Sequence, residues 1–476
     1  MARKKTSLNL NMNNTDVCNN LEKADNDLTT KLNTAFSSII KQQFGSYIAP
    51  APISTPLGIE PIDTLLGGGL FSSAPIRLSS TPETGKSTLA FQFCKQFITH
   101  NDNGLIAYID IEGAGNTAAE QKYRMNRIDT FGIDSTRFQY LPMILDLNGI
   151  FEIIQKFCEI KRQVEEAQQK EFYLCIVWDS IAATPSSKIA DAESHDSIIG
   201  HKARQLTFLL DKYASLFAFN KITFITIDQV RANIKIEGPY AQKEKTVGTF
   251  KDYKAASSIA ALDHRTSQWM FLSKKKEISL ADGLGIDGWY MGIYTEKNKH
   301  APSKIEIEVV FDKSKGIDKF WTEFHFISSL IPTEAKLYKN KKPPFPLLMK
   351  NSGAWYYLTV PHPETGEVLY QSDKFYKKDC KHKYKTDPEF QKYFDGAVQM
   401  SVYYRIINSL FRYEQGDIDE AHKEDIENEV ENEETYSEVE QDETYSEVEQ
   451  DETYSEVENE ENEESEEYGY VTNYNT

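Results

Sequence analysis

The sequence predicts an α/β protein built on a mostly parallel sheet. Two observations carry that expectation. Between Ile53 and about Pro332, short β-rich runs alternate with longer helical ones, the pattern of parallel strands joined by covering helices. The runs Ile76-Arg77-Leu78-Ser79, Leu105-Ile106-Ala107-Tyr108-Ile109, Tyr173-Leu174-Cys175-Ile176-Val177-Trp178 and Ile222-Thr223-Phe224-Ile225-Thr226-Ile227 are each followed by polar or acidic residues. In open α/β sheets ligands sit beyond the carboxyl ends of strands, so these four ends are expected to line one crevice.

A chain of 476 residues exceeds a usual domain of about 100–200 residues, so one large domain with appendages is expected. Residues 53–333 are read as the core. Residues 1–52 precede it: Met1 to Asp27 is polar and expected to be disordered, Leu28 to Ile40 has helical spacing of apolar residues, and Gly45 with Pro50, Pro52 and Pro56 marks a linker. Residues 334–416 form a small α+β appendage. It opens with Lys336, Lys339, Lys341, Lys342 and Pro343-Pro344. A hairpin follows, with Gly353 to Leu358 and Glu367 to Tyr370 flanking a turn at Pro363-Glu364-Thr365-Gly366, and then come basic helices to Arg412. Residues 417–476 form an acidic tail with a nine-residue repeat beginning at Glu434, Glu443 and Glu452. Dense like charge with few apolar residues predicts disorder there.

A total charge of −20 looks unsuited to polyanions until it is located. From Asp417 onward 26 acidic residues stand against Lys423 alone, a net charge of −25 that leaves +5 on the rest. A mildly basic body is compatible with nucleic acid, and the tail either keeps the chain soluble or competes for a basic surface. The basic start lacks an apolar stretch, so no secretory signal is expected, nor is a membrane span, and a cytoplasmic location follows. Cys18, Cys94, Cys158, Cys175 and Cys380 are scattered and show no C-x-x-C pair. That argues for reduced thiols rather than a disulfide framework or zinc site.

Candidate chemistry begins at Ser80-Thr81-Pro82-Glu83-Thr84-Gly85-Lys86-Ser87-Thr88. A phosphate-binding loop needs inward backbone N–H groups, a lysine for the β/γ phosphates and a hydroxyl for Mg²⁺. This stretch supplies them between a strand and a helix from Ser87 to about Thr99, so ATP is the expected nucleotide. Ser80 stands where the motif has glycine, whose backbone freedom is then missing. Asp179 ends an apolar strand, the place of an acid that orients Mg²⁺ with Ser87, or of a residue capping the next helix. Glu112 ends the neighbouring strand, where a carboxylate can take a proton from an attacking water; Asp110 is its rival, with the shorter reach. Asp228-Gln229-Val230-Arg231 ends the fourth strand and offers a polar group that can feel a γ-phosphate.

This order of strand, loop, acidic strand end, Asp-ending strand and Gln-Val-Arg resembles the RecA family, with the bacteriophage UvsX branch as the nearer likeness. The resemblance begins at Ile53-Ser54-Thr55 and Gly67-Gly68-Gly69-Leu70 and covers most of Ile53 to Ile331. Gly353-Ala354-Trp355-Tyr356 and Glu364-Thr365-Gly366-Glu367 look like the UvsX C-terminal region. It implies a RecA-like P-loop NTPase core and an ATP-dependent recombinase using Mg²⁺. Such a protein forms helical homo-oligomeric filaments on single-stranded DNA and pairs it with double-stranded DNA in recombination, repair and recombination-dependent replication. Mediator and single-strand-binding proteins are its implied partners, in the host cytoplasm if the source is viral.

Carried over residue by residue, the resemblance makes Glu112 the catalytic glutamate, Gln229 the switch coupling ATP to DNA, and Asp179 the Mg²⁺-site acid. Glu296-Lys297-Asn298-Lys299-His300-Ala301-Pro302 resembles the family's interface, with Lys297 and Lys299 completing a neighbour's ATP site in trans; read alone, it is a strand-end turn. Tyr123 is a candidate for stacking on adenine. DNA-binding loops would run from about Ile189 to Gly200 and about Val230 to Ser257. The second carries Arg231, Lys235, Lys243, Lys245, Lys251 and Lys254, which is either a DNA contact or a solvated basic loop. Two other readings stay open: a hexameric helicase-like motor of the same superfamily, and a filament protein that binds ATP without hydrolysing it.

Overall fold

The computed structural model describes residues 34, 36–41, 48–115, 117–187, 195–232, 253–255, 260–279, 282–339 and 342–407. Helical backbone at 34 and 36–41 falls within and just beyond the expected N-terminal helix. The rest of that helix, the polar stretch before it and the acidic tail lie outside the described residues. All described residues belong to one unit, Met1–Leu410.

In chain order the elements of the core are β1 (Ser54–Thr55), α1 (Glu60–Leu65), β2 (Leu70–Phe71), β3 (Pro75–Ser80), α2 (Lys86–His100), β4 (Gly104–Asp110), α3 (Ala118–Thr130), β5 (Phe138–Pro142), α4 (Leu147–Gln168) and β6 (Tyr173–Asp179). Then follow α5 (His195–Phe219), β7 (Thr223–Ala232), β8 (Tyr253–Ala255), α6 (Ala260–Arg265), β9 (Gln268–Glu277), β10 (Gly288–Asn298), β11 (Glu306–Asp312), β12 (Gly316–Ile317) and α7 (Lys319–Ser328).

The main sheet runs β12-β11-β10-β9-β3-β7-β6-β4-β5, with β8 pairing β7. From β9 to β5 neighbours are parallel, while β10, β11 and β12 continue antiparallel. Central parallel strands bury both faces, which is why they read as apolar runs. Along β6, Cys175 and Val177 join the core under α2, and Leu174, Ile176 and Trp178 join the one under α4 and α5. Register then sets the site. Ser80 pairs Gln229, and Asp110 pairs Asp179, so the four strand ends meet at one edge.

The expected boundary at 333/334 falls inside α8 (Pro332–Leu337). Pro332 opens this helix, because a missing N–H and a fixed φ suit the first helical turn. Beyond it lie β13 (Met349–Ser352), β14 (Trp355–Pro361), β15 (Val368–Gln371), β16 (Phe375–Tyr376), α9 (Cys380–Thr386) and α10 (Pro388–Val402). The expected hairpin is β14 against β15. Phe390 and Phe394 of α10 share a core with Phe320 and Phe324 of α7. Arg405, 2% exposed, fastens the end of this region: it donates to both Glu334 carboxylate oxygens and to the Ser329 and Phe326 carbonyls. Its guanidinium also lies 4.3 Å from the Phe326 ring centre. The described cysteines, Cys94, Cys158, Cys175 and Cys380, are free and buried. No helix among the described residues is long and apolar enough to cross a membrane.

Candidate functional site

Ser80 closes β3 and Lys86 opens α2, so the turn between them must reverse the chain tightly. Left-handed backbone at Glu83 (φ 58°) and Gly85 (φ 107°) does this. A Cβ on Gly85 would lie 2.4 Å from Phe311 Cζ, so both torsion and space demand glycine there. Ser80 faces no such demand: it ends a strand, is fully buried and is not among the positive-φ residues. Its Oγ donates to the Thr81 carbonyl at 2.8 Å and accepts from Lys86 Nζ at 3.0 Å. Lys86 Nζ donates further to the Ser80 and Thr81 carbonyls. Burial holds this ammonium below its ordinary value, against the pull of Asp179, Glu112 and Asp228. Gly85, as N-cap, offers α2 no side-chain bond, which leaves the positive end of a 15-residue helix open to an anion.

Beside the loop, Asp179 Oδ2 accepts from Ser87 Oγ at 2.9 Å and from Tyr108 OH at 2.7 Å. These bonds tie the Asp179 carboxylate to the first turn of α2 and to β4. Burial pushes its carboxyl up to about 6, with Asp110 and Glu112 adding to the rise and the two hydrogen bonds opposing it. Asp110 and Glu112 separate clearly. Asp110 is buried, its Oδ1 accepting the Gly113 N–H and its Oδ2 the Tyr140 hydroxyl. The Gly113 bond turns the chain, so β4 ends at Asp110 and Glu112 opens a 3₁₀ turn, Glu112–Gly115, which corrects the expectation that Glu112 ends the strand. Glu112 is exposed; its Oε1 accepts from Ser180 Oγ at 2.7 Å and Gln229 Nε2 at 2.8 Å. Pro82, Glu83, Gly85, Lys86, Ser87, Thr88, Glu112, Asp179 and Gln229 together line a cavity of ≈ 320 Å³.

The same cavity is lined by Arg127, Trp289, Phe311 and Lys313, which sequence reasoning missed. Arg127 comes from α3 and donates to Thr88 Oγ1. Trp289 and Phe311 pair across β10 and β11, and the reversed direction of β10 brings its first residues to this edge. Trp289 Nε1 is buried with no hydrogen-bond partner. The available signal was an antiparallel pair following the parallel strands, which puts a strand start and a strand end at the same edge. Tyr123 lies on α3, with its side chain outside the described residues.

No family model matches the chain. Among curated proteins, Protein RecA of Mycoplasmopsis pulmonis is 29% identical over 267 residues, covering 55% of this chain and 68% of that one. Protein RecA of Malacoplasma penetrans is 26% identical over 303 residues, 62% and 75% of the respective chains. Protein RecA of Ruminococcus albus is 24% identical over 334 residues, 68% and 71%. These similarities support the RecA family. The α/β core described above, with its mostly parallel sheet, is RecA-like.

Against this RecA-like core, the remaining expected site residues divide. Because β10 runs against β9, Lys297 and Asn298 pair with Trp269 and Gln268 at the amino edge, away from the loop. Lys297 Nζ donates to the Asp263 and His264 carbonyls at 2.5 and 3.1 Å. Burial and the charge of Lys299 hold it below the usual lysine value. Lys299 lines a groove of ≈ 540 Å³ with Ser73, Phe217, His264 and Arg265. Of the DNA-binding candidates, Arg231 falls in β7 and Lys254 in β8, paired across the two strands, with their side chains outside the described residues. Lys235, Lys243, Lys245 and Lys251 lie wholly outside them, as does 188–194 of the first expected loop.

Proposed function

We propose that the chain is an ATP-dependent DNA recombinase of the RecA type, similar to the UvsX branch, that assembles on single-stranded DNA and carries out homologous pairing and strand exchange. The observation that carries this reading is the bond from Gln229 Nε2 to Glu112 Oε1, 2.8 Å, on the cavity that also holds Lys86, Ser87 and Asp179. It joins a group able to activate water to one able to sense what the cavity holds.

The residues fit ATP and Mg²⁺. Lys86 has an ammonium resting on loop carbonyls that an anion can replace, α2 presents open N–H groups, and the Ser87 hydroxyl beside a buried carboxylate is a hard-oxygen pair suited to Mg²⁺. ATP supplies a phosphoanhydride whose cleavage is favourable, and Mg²⁺ the charge that screens it. Lys86 would hold the β/γ phosphates, and Ser87 with ionised Asp179 would hold the cation. Glu112 would accept the proton of an attacking water. Gln229 would exchange its bond to Glu112 for one to a γ-phosphate, which would couple the cavity to β7 and the expected loop of about Val230 to Ser257. Arg231, Lys235, Lys243, Lys245, Lys251 and Lys254 would meet DNA phosphates there, with affinity falling steeply in salt. Lys297 and Lys299, at the opposite edge, would complete the site of a neighbouring copy in a helical filament, acting as an arginine finger acts. Such an assembly works in the cytoplasm, with mediator and single-strand-binding proteins as partners.

Phosphate release with and without single-stranded DNA tests the reading. DNA-stimulated turnover accompanied by helical filaments is expected. Closed rings would favour a hexameric motor, and nucleotide binding without turnover a non-hydrolysing filament protein.

A further inference from the structure

Arg77 places a full charge in the middle of an apolar strand. Its neighbours Ile76 and Leu78 belong to the core, and Arg77 itself is 0% exposed. A buried guanidinium persists only when its charge and donors are matched. Here Nη2 and Nε donate to Asp228 Oδ2 at 2.5 and 3.2 Å, Nη1 donates to Asp263 Oδ1, and the guanidinium carbon stands 4.2 Å from the Trp269 ring centre.

Each of these three partners adjoins a candidate functional residue. Asp228 immediately precedes Gln229 on β7, where successive side chains face opposite sides of the sheet. A shift of this backbone at Gln229 is therefore felt on the other face at Asp228. Asp263 lies on α6, whose Asp263 and His264 carbonyls hold the Lys297 ammonium. Trp269 pairs with Arg77 on one side and Lys297 on the other, so the three share one register line across β3, β9 and β10. The result is a continuous path from Glu112 through Gln229, Asp228, Arg77 and Asp263 to Lys297.

We propose that Arg77 is a positioning residue that transmits the state of a protomer's own cavity to the lysine it offers a neighbour. This rests on the ATPase reading above. Because the guanidinium is a rigid fork, moving Asp228 carries Asp263 with it, and α6 then shifts the two carbonyls that aim Lys297.

Asp263→Asn tests the path at its softest point, since the Asp263 side chain is 44% exposed and the buried Arg77–Asp228 pair stays intact. Arg77→Lys tests it a second way, keeping the charge and losing the fork. Melting, affinity for a fluorescent ATP analogue, basal turnover and DNA-stimulated turnover are measured for each variant, alone and combined with Lys297→Ala. Melting, affinity and basal turnover of Asp263→Asn are expected to match wild type, while stimulated turnover falls about 5-fold or more. Adding Lys297→Ala should lower it no further than Lys297→Ala does alone, because both act through one path. Full stimulation in both variants, or losses that multiply in the double variant, overturns the path and leaves the ATPase reading standing. A wild-type chain without turnover overturns that reading, and the path with it.

Discussion

At the carboxyl edge of the main sheet, Ser87 bonds Asp179, Gln229 bonds Glu112, and Lys86 folds onto its own loop. At the amino edge, Lys297 rests on two main-chain carbonyls and Lys299 lines an open groove with His264 and Arg265. The first edge is a finished polar network, with donors and acceptors arranged before any ligand arrives. The second offers cations beside a groove of ≈ 540 Å³, away from the phosphate-binding turn. One fold thus carries a linked polar network on one edge and basic side chains on the other, and the proposed function requires a second copy to bring the two together.

The comparison breaks most visibly at Lys86. Lys86→Ala should lower turnover by about 10³-fold or more and abolish thermal stabilisation by nucleotide; wild-type turnover would remove the loop from the mechanism. Glu112→Gln comes next. Its amide oxygen can still accept from Gln229 or Ser180, so nucleotide binding should survive while turnover falls about 10²- to 10⁴-fold. Unchanged hydrolysis would move water activation elsewhere.

Lys297→Ala should cost about 10²-fold in DNA-stimulated turnover with melting unchanged. Mixing it with Lys86→Ala sharpens the contrast between edges: each variant keeps the edge the other lacks, so mixed filaments should recover activity. No recovery at any ratio would confine Lys297 to its own protomer.

The smallest effect is a pH dependence. Burial lifts Asp179 from 3.8 to about 6, so without ligand the folded chain holds this proton more tightly than the unfolded one. That contribution to stability is full below about 3.8 and is lost as pH rises through about 6. Cation binding needs the ionised carboxylate, so Mg²⁺-dependent stabilisation by nucleotide should weaken about tenfold in affinity per pH unit below 6, and Asp179→Asn should flatten the profile.

The strands and the loop were legible because apolar runs, a Gly-Lys-Ser-Thr turn and acidic strand ends are local signals. Ser80 was harder: a missing glycine raised a question about torsion that only the backbone answers. Asp110 and Glu112 sit two residues apart, and sequence could not say that Tyr140 and Gly113 occupy one of them. Arg127, Trp289 and Phe311 reach the cavity from elements distant in the chain, where no local pattern announces a shared destination. Arg77 did carry a signal, a lone charge inside an apolar strand, whose meaning depended on Asp228 and Asp263 arriving from far along the sequence.

Arg405 sets how far the chain can be trimmed. Its guanidinium neutralises Glu334, whose side chain is 7% exposed, and occupies the Ser329 and Phe326 carbonyls. A chain cut at Val402 leaves that carboxylate buried without its counter-charge, at a cost of about 3–5 kcal/mol. A chain cut just after Ile407 keeps the pair. A version expected to retain this buried pair therefore runs at least through Ile407.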